Sequence, residues 1–417
     1  MHTLRTLSTD EYWNFIGHRP DVGYQQTPQW GDVRSGDWHH ELVGWFDVTA
    51  QLVAVALIRY RNLPGTNRCF AYIAQGPVID WRSPDVTDQL NALGRHLRSR
   101  HAFGVRITPL VSLRSWNAAS IKAGITDPKV KHFRDLAPDR IDPVGTELVD
   151  TLRAAGWRPA PSDREAGASH PRFNFWLDLQ GSDEESVLSG MSKYWRKNIR
   201  KAQRAEIEIL SGTRADLGEI HILYGETADR NHFAHQPMSY FHTLWGSMGE
   251  AFPGSFHLHL ARSEGTLVAA NASAQVGTRA QGVFATTSTR QPKVKPSNAV
   301  YWAVLRQAIA DGARLYDLGG VGDGLDEADA TSGLVRFKAE MGADAHEYVD
   351  AWDLPLEPRI YHTFTKLLPA YFGTTSRFRR AAETIRHTHW HLPRHTPALA
   401  ANGRVSREEG IPGSAPD

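Results

Sequence analysis

The chain has 417 residues, 41% of them hydrophobic, and its 47 lysines and arginines against 46 aspartates and glutamates leave a net charge of +1. That is enough apolar material for more than one domain core, and the charge balance excludes a protein coated all over with positive charge for nucleic acid. The single cysteine, Cys69, excludes an internal disulfide and a cysteine-based zinc site, which suits a reducing compartment.

The amino-terminal stretch MHTLRTLSTDEYW lacks the apolar core of a signal peptide. The longest clean apolar run, Leu52 to Ile58, is far too short to span a bilayer, so the reading is a cytoplasmic protein. Apolar runs at 41–46, 52–60 and 69–74 predict strands, followed by a helix over about 85–101 and a strand in GVRITPLV at 104–111. The same order returns later: strands at 256–261, 267–276 and 282–288, a helix over 297–313, and a strand RLYDLGG at 314–320. Even the strand entries match, LVAVAL against LVAANA. The repetition predicts an internally duplicated α/β (α+β) unit. We expect a first domain at 1–165, a second at 166–355, a segment 356–392 packing back on the first, and a small, polar, disordered tail at 395–417.

Between the copies the composition changes. Ser182 and Glu185 have capping-box spacing, which predicts a helix starting near Asp183. On that helix Val187, Leu188, Met191, Trp195, Ile199 and Ala202 share one face. Lys193, Arg196, Lys197, Arg200, Lys201 and Arg204 share the other, uninterrupted by an acid until Glu206. A solvated surface normally mixes both signs to gain i,i+4 pairs, so this ridge either contacts a polyanion or is an ordinary amphipathic face.

The segments KYWRKNIRKAQRAEIEI, LYGETADRNHF, KPSNAVYWAVLRQA, YDLGG and SGLVRFKAEMGADAHEYVDAWDLPL occur in this order. As an ordered set they resemble the Fem family of aminoacyl-tRNA-dependent peptidyltransferases, which build peptidoglycan cross-bridges. LVGWFDVTAQLVAVALIRYRNLP and AYIAQGPVIDW resemble its actinobacterial branch. The resemblance implies two acetyltransferase-like (GNAT-like) domains. It also implies an armless, first-residue-adding type, because no coiled-coil arm follows the basic helix.

What the resemblance implies about chemistry is transfer of an amino acid from aminoacyl-tRNA to an amino group of a UDP- or lipid-linked muramyl peptide, with no metal or organic cofactor. Lys338 of the RFK motif matches the family lysine at the reaction centre, where its ammonium would stabilise a tetrahedral oxyanion, and Phe337 would shape the pocket for the acceptor stem. Arg34 and Arg230 match positions that grip the acceptor diphosphate. Three positions depart from the family pattern. Lysine is more usual at Arg34, an acid at Thr108, and tyrosines where Phe284 and Thr286 stand, so the acceptor contacts differ here. The cationic ridge would then meet tRNA, through contacts that weaken with salt.

Other readings compete. The same chemistry could serve a small amine or peptide in antibiotic biosynthesis, and a non-catalytic tRNA-binding or resistance module would keep the fold. An acyl-CoA donor is disfavoured because no Q/R-x-x-G-x-G/A loop is present, and GGVGDGLDEADA carries acids that repel phosphate. The alternating His257 and His259, and His387, His389 and His391, lack a completing carboxylate or cysteine nearby. The aromatic and basic segment from Arg359 onward suggests transient contact with the inner membrane surface, although Pro369 and Gly373 interrupt it. The chain reads as a monomer.

Overall fold

The computed structural model describes residues 2–33, 38–161, 171–231, 233, 235–251, 254–326, 328–329 and 331–365. The chain begins with β1 (Thr3–Thr6), α1 (Thr9–Ile16) and α2 (Pro28–Val33). It continues through β2 (Trp38–Phe46), β3 (Leu52–Asn62), β4 (Cys69–Ile73), α3 (Val86–Ser99) and β5 (Ala102–Ile107). A connecting region follows, with β6 (Ser112–Trp116), α4 (Ala118–Thr126), β7 (Arg140–Ile141), α5 (Pro143–Ala154), β8 (Arg158–Pro159) and β9 (Phe173–Asp178). Then come α6 (Glu184–Gly190), α7 (Lys193–Arg204), β10 (Glu208–Ser211), α8 (Leu217–Asn231) and α9 (Met238–Leu244). The last part holds β11 (Phe256–Ser263), β12 (Thr266–Val276), β13 (Arg279–Thr287), α10 (Pro296–Ala310), β14 (Leu315–Val321), α11 (Ser332–Glu340), β15 (Asp344–Tyr348) and β16 (Trp352–Pro355).

These strands form two sheets with one pattern. β1 to β4 pair antiparallel in sequence order, and β4 pairs parallel with β5 across α3. β10 to β13 do the same, and β13 pairs parallel with β14 across α10. In each copy the first two strands are joined through helices, α1 and α2 in one and α8 and α9 in the other, the next strands by short connections, and the parallel pair by the helical crossover that it requires. The expected internal duplication of an α/β unit is therefore present as two copies of one sheet pattern.

The ends of the copies are exchanged. β9 follows β8 in the chain but pairs with β14 and β15 of the second sheet. β16 follows β15 but pairs with β5 and β8 of the first. β6 and β7 also join the second sheet, giving the orders β1-β2-β3-β4-β5-β16-β8 and β10-β11-β12-β13-β14-β9-β15-β6-β7. A division of the chain at residue 165 thus cuts through both sheets, because sequence order and sheet membership part company after β5.

Three large apolar clusters fill the structure. One lies around Val43, Trp45, Leu93 and Ile107 in the first copy, a second around Phe175, Trp195, Tyr316 and Met341 in the second, and a third joins the copies. That third cluster sets Tyr12, Trp30 and Leu57 against Phe241, Leu258 and Ala272. After β16 a short helix, 358–365, returns to the first sheet. There Tyr361 donates its hydroxyl hydrogen to Asp353 Oδ2 at 2.6 Å, and the Phe364 ring meets Phe70 and Phe103. The rest of the 356–392 segment, the 395–417 tail and the histidines at 387, 389 and 391 lie outside the described residues. No helix among the described residues is long and apolar enough to cross a membrane.

Candidate active site

The second sheet opens where its parallel pair separates. β13 and β14 hydrogen-bond only from Arg279–Leu315 to Gln281–Asp317. Beyond that point the register of β14 with β9 is broken between Asp317 and Gly320. The chain turns there through Gly319 at φ +77, a left-handed conformation that glycine adopts without strain. Gly320 must stay bare for a different reason: a Cβ would fall 1.9 Å from Pro171 Cβ.

The gap so made is part of a cleft of about 300 Å³ between the two copies. Its second-copy wall includes Asn174, Gln281, Gly282, Val283, Asp317, Gly319 and Gly320, and its first-copy wall includes Trp30, Trp38, Arg59, Tyr72 and Gln75. Arg59 and Tyr72 are register partners on β3 and β4, and the Arg59 guanidinium lies 4.8 Å from the centre of the Trp38 ring. Residues of the first sheet therefore bring a buried cation and aromatic rings to a floor made of second-sheet backbone.

Behind that floor stands Lys338, on α11 and only 2% exposed. Its Nζ donates to Gly319 O at 2.7 Å and to Gly320 O at 3.1 Å, the two residues of the turn. It also sits 5.8 Å from the Phe175 ring centre. Burial among apolar groups disfavours its charge and pushes its pKa down to about 7, against the pull of the nearby Asp317 carboxylate. An ammonium has three hydrogens, and two of them are held by the carbonyls.

Asp317 is the centre of a second buried network. Its Oδ2 accepts from Arg279 Nη2 at 2.7 Å, Gln281 Nε2 at 3.1 Å and the Tyr348 hydroxyl at 3.3 Å, while Oδ1 accepts from the Gly319 N–H at 2.9 Å. Trp176 Nε1 donates to Tyr348 Oη at 2.8 Å. Burial works against the Arg279 charge, but Tyr348 and the Asp317 carboxylate beside it raise its pKa, and apolar burial raises that of Tyr348. These residues sit in unremarkable strand segments, and only YDLGG hinted at them.

Phe337 does not stand beside Lys338 facing the same way. Its ring packs 4.9 Å from Trp195 and 5.4 Å from Tyr301, and its carbonyl accepts from Trp195 Nε1 at 3.0 Å. The residue expected to shape a pocket is thus tied to the apolar face of the basic helix.

That basic helix is two helices. α6 is capped by Asp183, whose side chain pairs with Ser186 rather than by the expected Ser182 and Glu185, and it ends where Met191 becomes extended. α7 restarts with Ser192 as its cap. Arg196 bridges the break, its Nη1 donating to the carbonyls of Leu188, Ser189 and Met191 at 3.4, 2.8 and 2.7 Å. Leu188 O also accepts from the Met191 N–H, so the guanidinium chiefly serves the Ser189 and Met191 carbonyls at the break. Lys193, Lys197, Arg200, Lys201 and Arg204 are exposed, so five of the six cations form the ridge and the sixth is a staple. α7 runs into β10 through residues 205–207 alone.

The remaining expected positions divide in two. Thr108 is buried and its Oγ1 accepts from the Gln75 N–H at 2.8 Å, holding one cleft residue from behind. Thr286 is also buried, bonded to Leu223 O at 2.6 Å and to Thr227 Oγ1 at 2.7 Å. Arg230 is exposed at the end of α8 and joins the same cluster through Thr287 O at 3.2 Å and Thr227 Oγ1 at 3.4 Å. Phe284 packs among Tyr224 and Phe241. Arg34 lies outside the described residues.

Among the described residues no group of histidines, cysteines and carboxylates could hold a metal. His257 pairs with Asp311 at 2.8 Å, and burial beside His257 pushes the His259 pKa down to about 4.

The FemAB family model matches residues 7–264 and 258–368. The chain belongs to the FemAB family. It is 24% identical over 363 residues to the UDP-N-acetylmuramoylpentapeptide-lysine N(6)-alanyltransferase of Weissella viridescens, an alignment covering 86% of this chain and 97% of that protein. It is 17% identical over 433 residues to a lipid II:glycine glycyltransferase of Staphylococcus epidermidis, covering 87% and 95% of the two. The crystal structure of FemX superposes with a TM-score of 0.71 at 16% identity, covering 87% of this chain and 99% of the other. Membership thus spans both sheets and the cleft between them.

Proposed function

We propose that this FemAB protein moves an amino acid from aminoacyl-tRNA to an amino group on a UDP- or lipid-linked muramyl peptide in the cytoplasm, forming a peptide bond. The observation that carries the reading is its similarity to an alanyltransferase over 97% of that enzyme's length. In this reaction the acceptor nitrogen attacks the ester carbonyl and the carbon–oxygen bond to the ribose breaks. The proton lost by the amine leaves with the ribose hydroxyl. The acyl group arrives activated, so the protein's task is to orient the reactants and stabilise the oxyanion.

Lys338 is the group we assign to that oxyanion. Two carbonyls fix its ammonium and leave a third hydrogen for a substrate oxygen. The cleft bordered by Gly319 and Gly320 takes the acceptor, with Arg34 and Arg230 for its phosphates, and Phe337 holds the reaction-centre helix to α7. The five exposed cations of α7 guide the tRNA. Supporting this division, Trp195 faces Phe337 while the ridge faces solvent on the same short helix.

A second acceptor reading, a small amine or peptide of antibiotic biosynthesis, is favoured by Thr108 and Thr286, whose hydroxyls are used in internal bonds where the family pattern has an acid and a phenol. The test is transfer of radiolabel from charged tRNA, one amino acid at a time, to UDP-muramyl pentapeptide, with Lys338→Ala as control. Transfer lost in the variant supports the reading; tRNA binding without transfer to any muramyl peptide turns it toward the second acceptor class.

A further inference from the structure

We propose that Asp317 is the positioning residue for Lys338, acting through the Gly319–Gly320 turn. The inference rests on the reading of Lys338 as the oxyanion group and adds a part that the lysine cannot supply for itself. A lysine side chain ends in a compact charge on four rotatable carbons, so its aim depends on whatever its hydrogens meet. Here they meet two successive carbonyls, at 2.7 and 3.1 Å, on a segment that has left its parallel partner β13 and bulges against β9 between Asp317 and Gly320, where pairing resumes with Asn174. Backbone in a bulge that is unpaired on one side needs a further constraint to keep one orientation.

Asp317 supplies it. Oδ1 takes the Gly319 N–H at 2.9 Å, which fixes the peptide plane preceding the first of those carbonyls. The carboxylate cannot swing away, because its other oxygen is held by Arg279 and Gln281 of the neighbouring β13 and by Tyr348 of β15, beyond β9. Arg279 is itself stacked 4.9 Å over Trp176. The chain of constraint therefore runs from a rigid sheet, through one carboxylate, to a glycine turn, to the lysine.

The same carboxylate acts on the lysine's charge. Lys338 is buried, and Asp317 on β14 favours its protonated form. On the other elements packed against α11, Lys122 of α4 faces Glu340, as does Arg336 of α11 itself. The α7 cations are on the solvent side, and Tyr301 of α10 is neutral, with its pKa pushed up to about 12. Among the described residues Asp317 is the carboxylate that favours the Lys338 charge, so removing it lets the lysine lose its proton at lower pH.

The test is single-turnover transfer by the full-length Asp317→Asn protein, across about pH 6 to 9, with wild type and Lys338→Ala alongside. Expected are a basic limb displaced by about one pH unit to the acid side and a rate lowered about tenfold above neutrality. A wild-type profile from a folded Asp317→Asn protein overturns the positioning role even when Lys338→Ala is inactive. Wild-type transfer by Lys338→Ala instead overturns the reading of the lysine itself. Should Asp317→Asn not fold, Gly319→Ala keeps the carboxylate but strains the φ of +77. It is expected to lower kcat, and an unchanged kcat with a wild-type pH profile overturns the proposal.

Discussion

Trp195 and Phe337 join the basic surface to the lysine helix: the indole of one donates to the carbonyl of the other at 3.0 Å, and their rings lie 4.9 Å apart. Trp195 is fully buried in the first turn of α7, so the ridge cations and Lys338 sit on opposite sides of one packed unit. Replacing Trp195 with Phe keeps most of the apolar contact and loses the hydrogen bond. We expect a stability loss of about 1 kcal/mol in urea unfolding, with transfer reduced more than tRNA binding. Trp195→Ala leaves a cavity and costs about 3–5 kcal/mol. Equal losses of binding and transfer in Trp195→Phe would argue that α7 and α11 act independently.

Arg196 and Arg200 differ by one helical turn and are expected to fail differently. Arg200→Glu together with Lys197→Glu weakens tRNA binding and makes its salt dependence shallower by about two phosphate contacts, with the melting temperature unchanged. Arg196→Ala removes the guanidinium from the Ser189 and Met191 carbonyls, Leu188 O keeping its Met191 N–H, and lowers stability by about 1–3 kcal/mol, with a much smaller effect on the salt slope. Fluorescence anisotropy with charged tRNA at several salt concentrations, beside thermal melts, separates the two.

How far this was legible from the sequence follows from which signals are local. Strand periodicity and the repeated order gave the two copies, because alternation and crossover helices are written within a dozen residues. The exchange of β9 and β16 was not legible, since pairing partners more than a hundred residues apart leave no local trace. A helical wheel places Arg196 with the ridge because it assumes an unbroken helix, and the Gly190–Ser192 break removes that assumption. Lys338 stood out through its motif, but Asp317, Arg59 and Asn174 come from separate strands and carry no shared motif. Folding alone brings them to one cleft.

Lys338 makes stability depend on pH in a definite direction. Its folded pKa, about 7, lies below the ordinary lysine value, so between the two the unfolded chain binds the extra proton and stability rises with pH. Below pH 7 the buried charge exerts its full cost; above the ordinary lysine value there is none. Lys338→Met is therefore expected to be more stable than wild type near pH 6.5 and to lose that advantage as the pH approaches the ordinary lysine value. Chemical denaturation at both ends measures it, and a difference that does not change with pH would place the lysine in a far wetter site.

The exchanged strands bear on cooperativity. Because β16 completes the first sheet and β9 the second, neither sheet can close without chain from the other side of the molecule. Asp353 on β16 holds Arg106 through two bonds, at 2.7 and 2.9 Å, in the core of the first copy, and it accepts from Tyr361 of the final helix. Asp353→Ala would leave the Arg106 guanidinium buried and unpaired, a loss of about 3–5 kcal/mol. Phe175→Ala opens a cavity in the second copy at a similar cost. If the copies were independent, each substitution would lower a separate calorimetric transition. With the strands exchanged, both are expected to lower the same single transition, and the second sheet's tryptophans should lose their fluorescence signature at the temperature where Asp353→Ala unfolds the first. Two resolved transitions, one untouched by each substitution, would mean that each copy holds its shape without the strand it borrows.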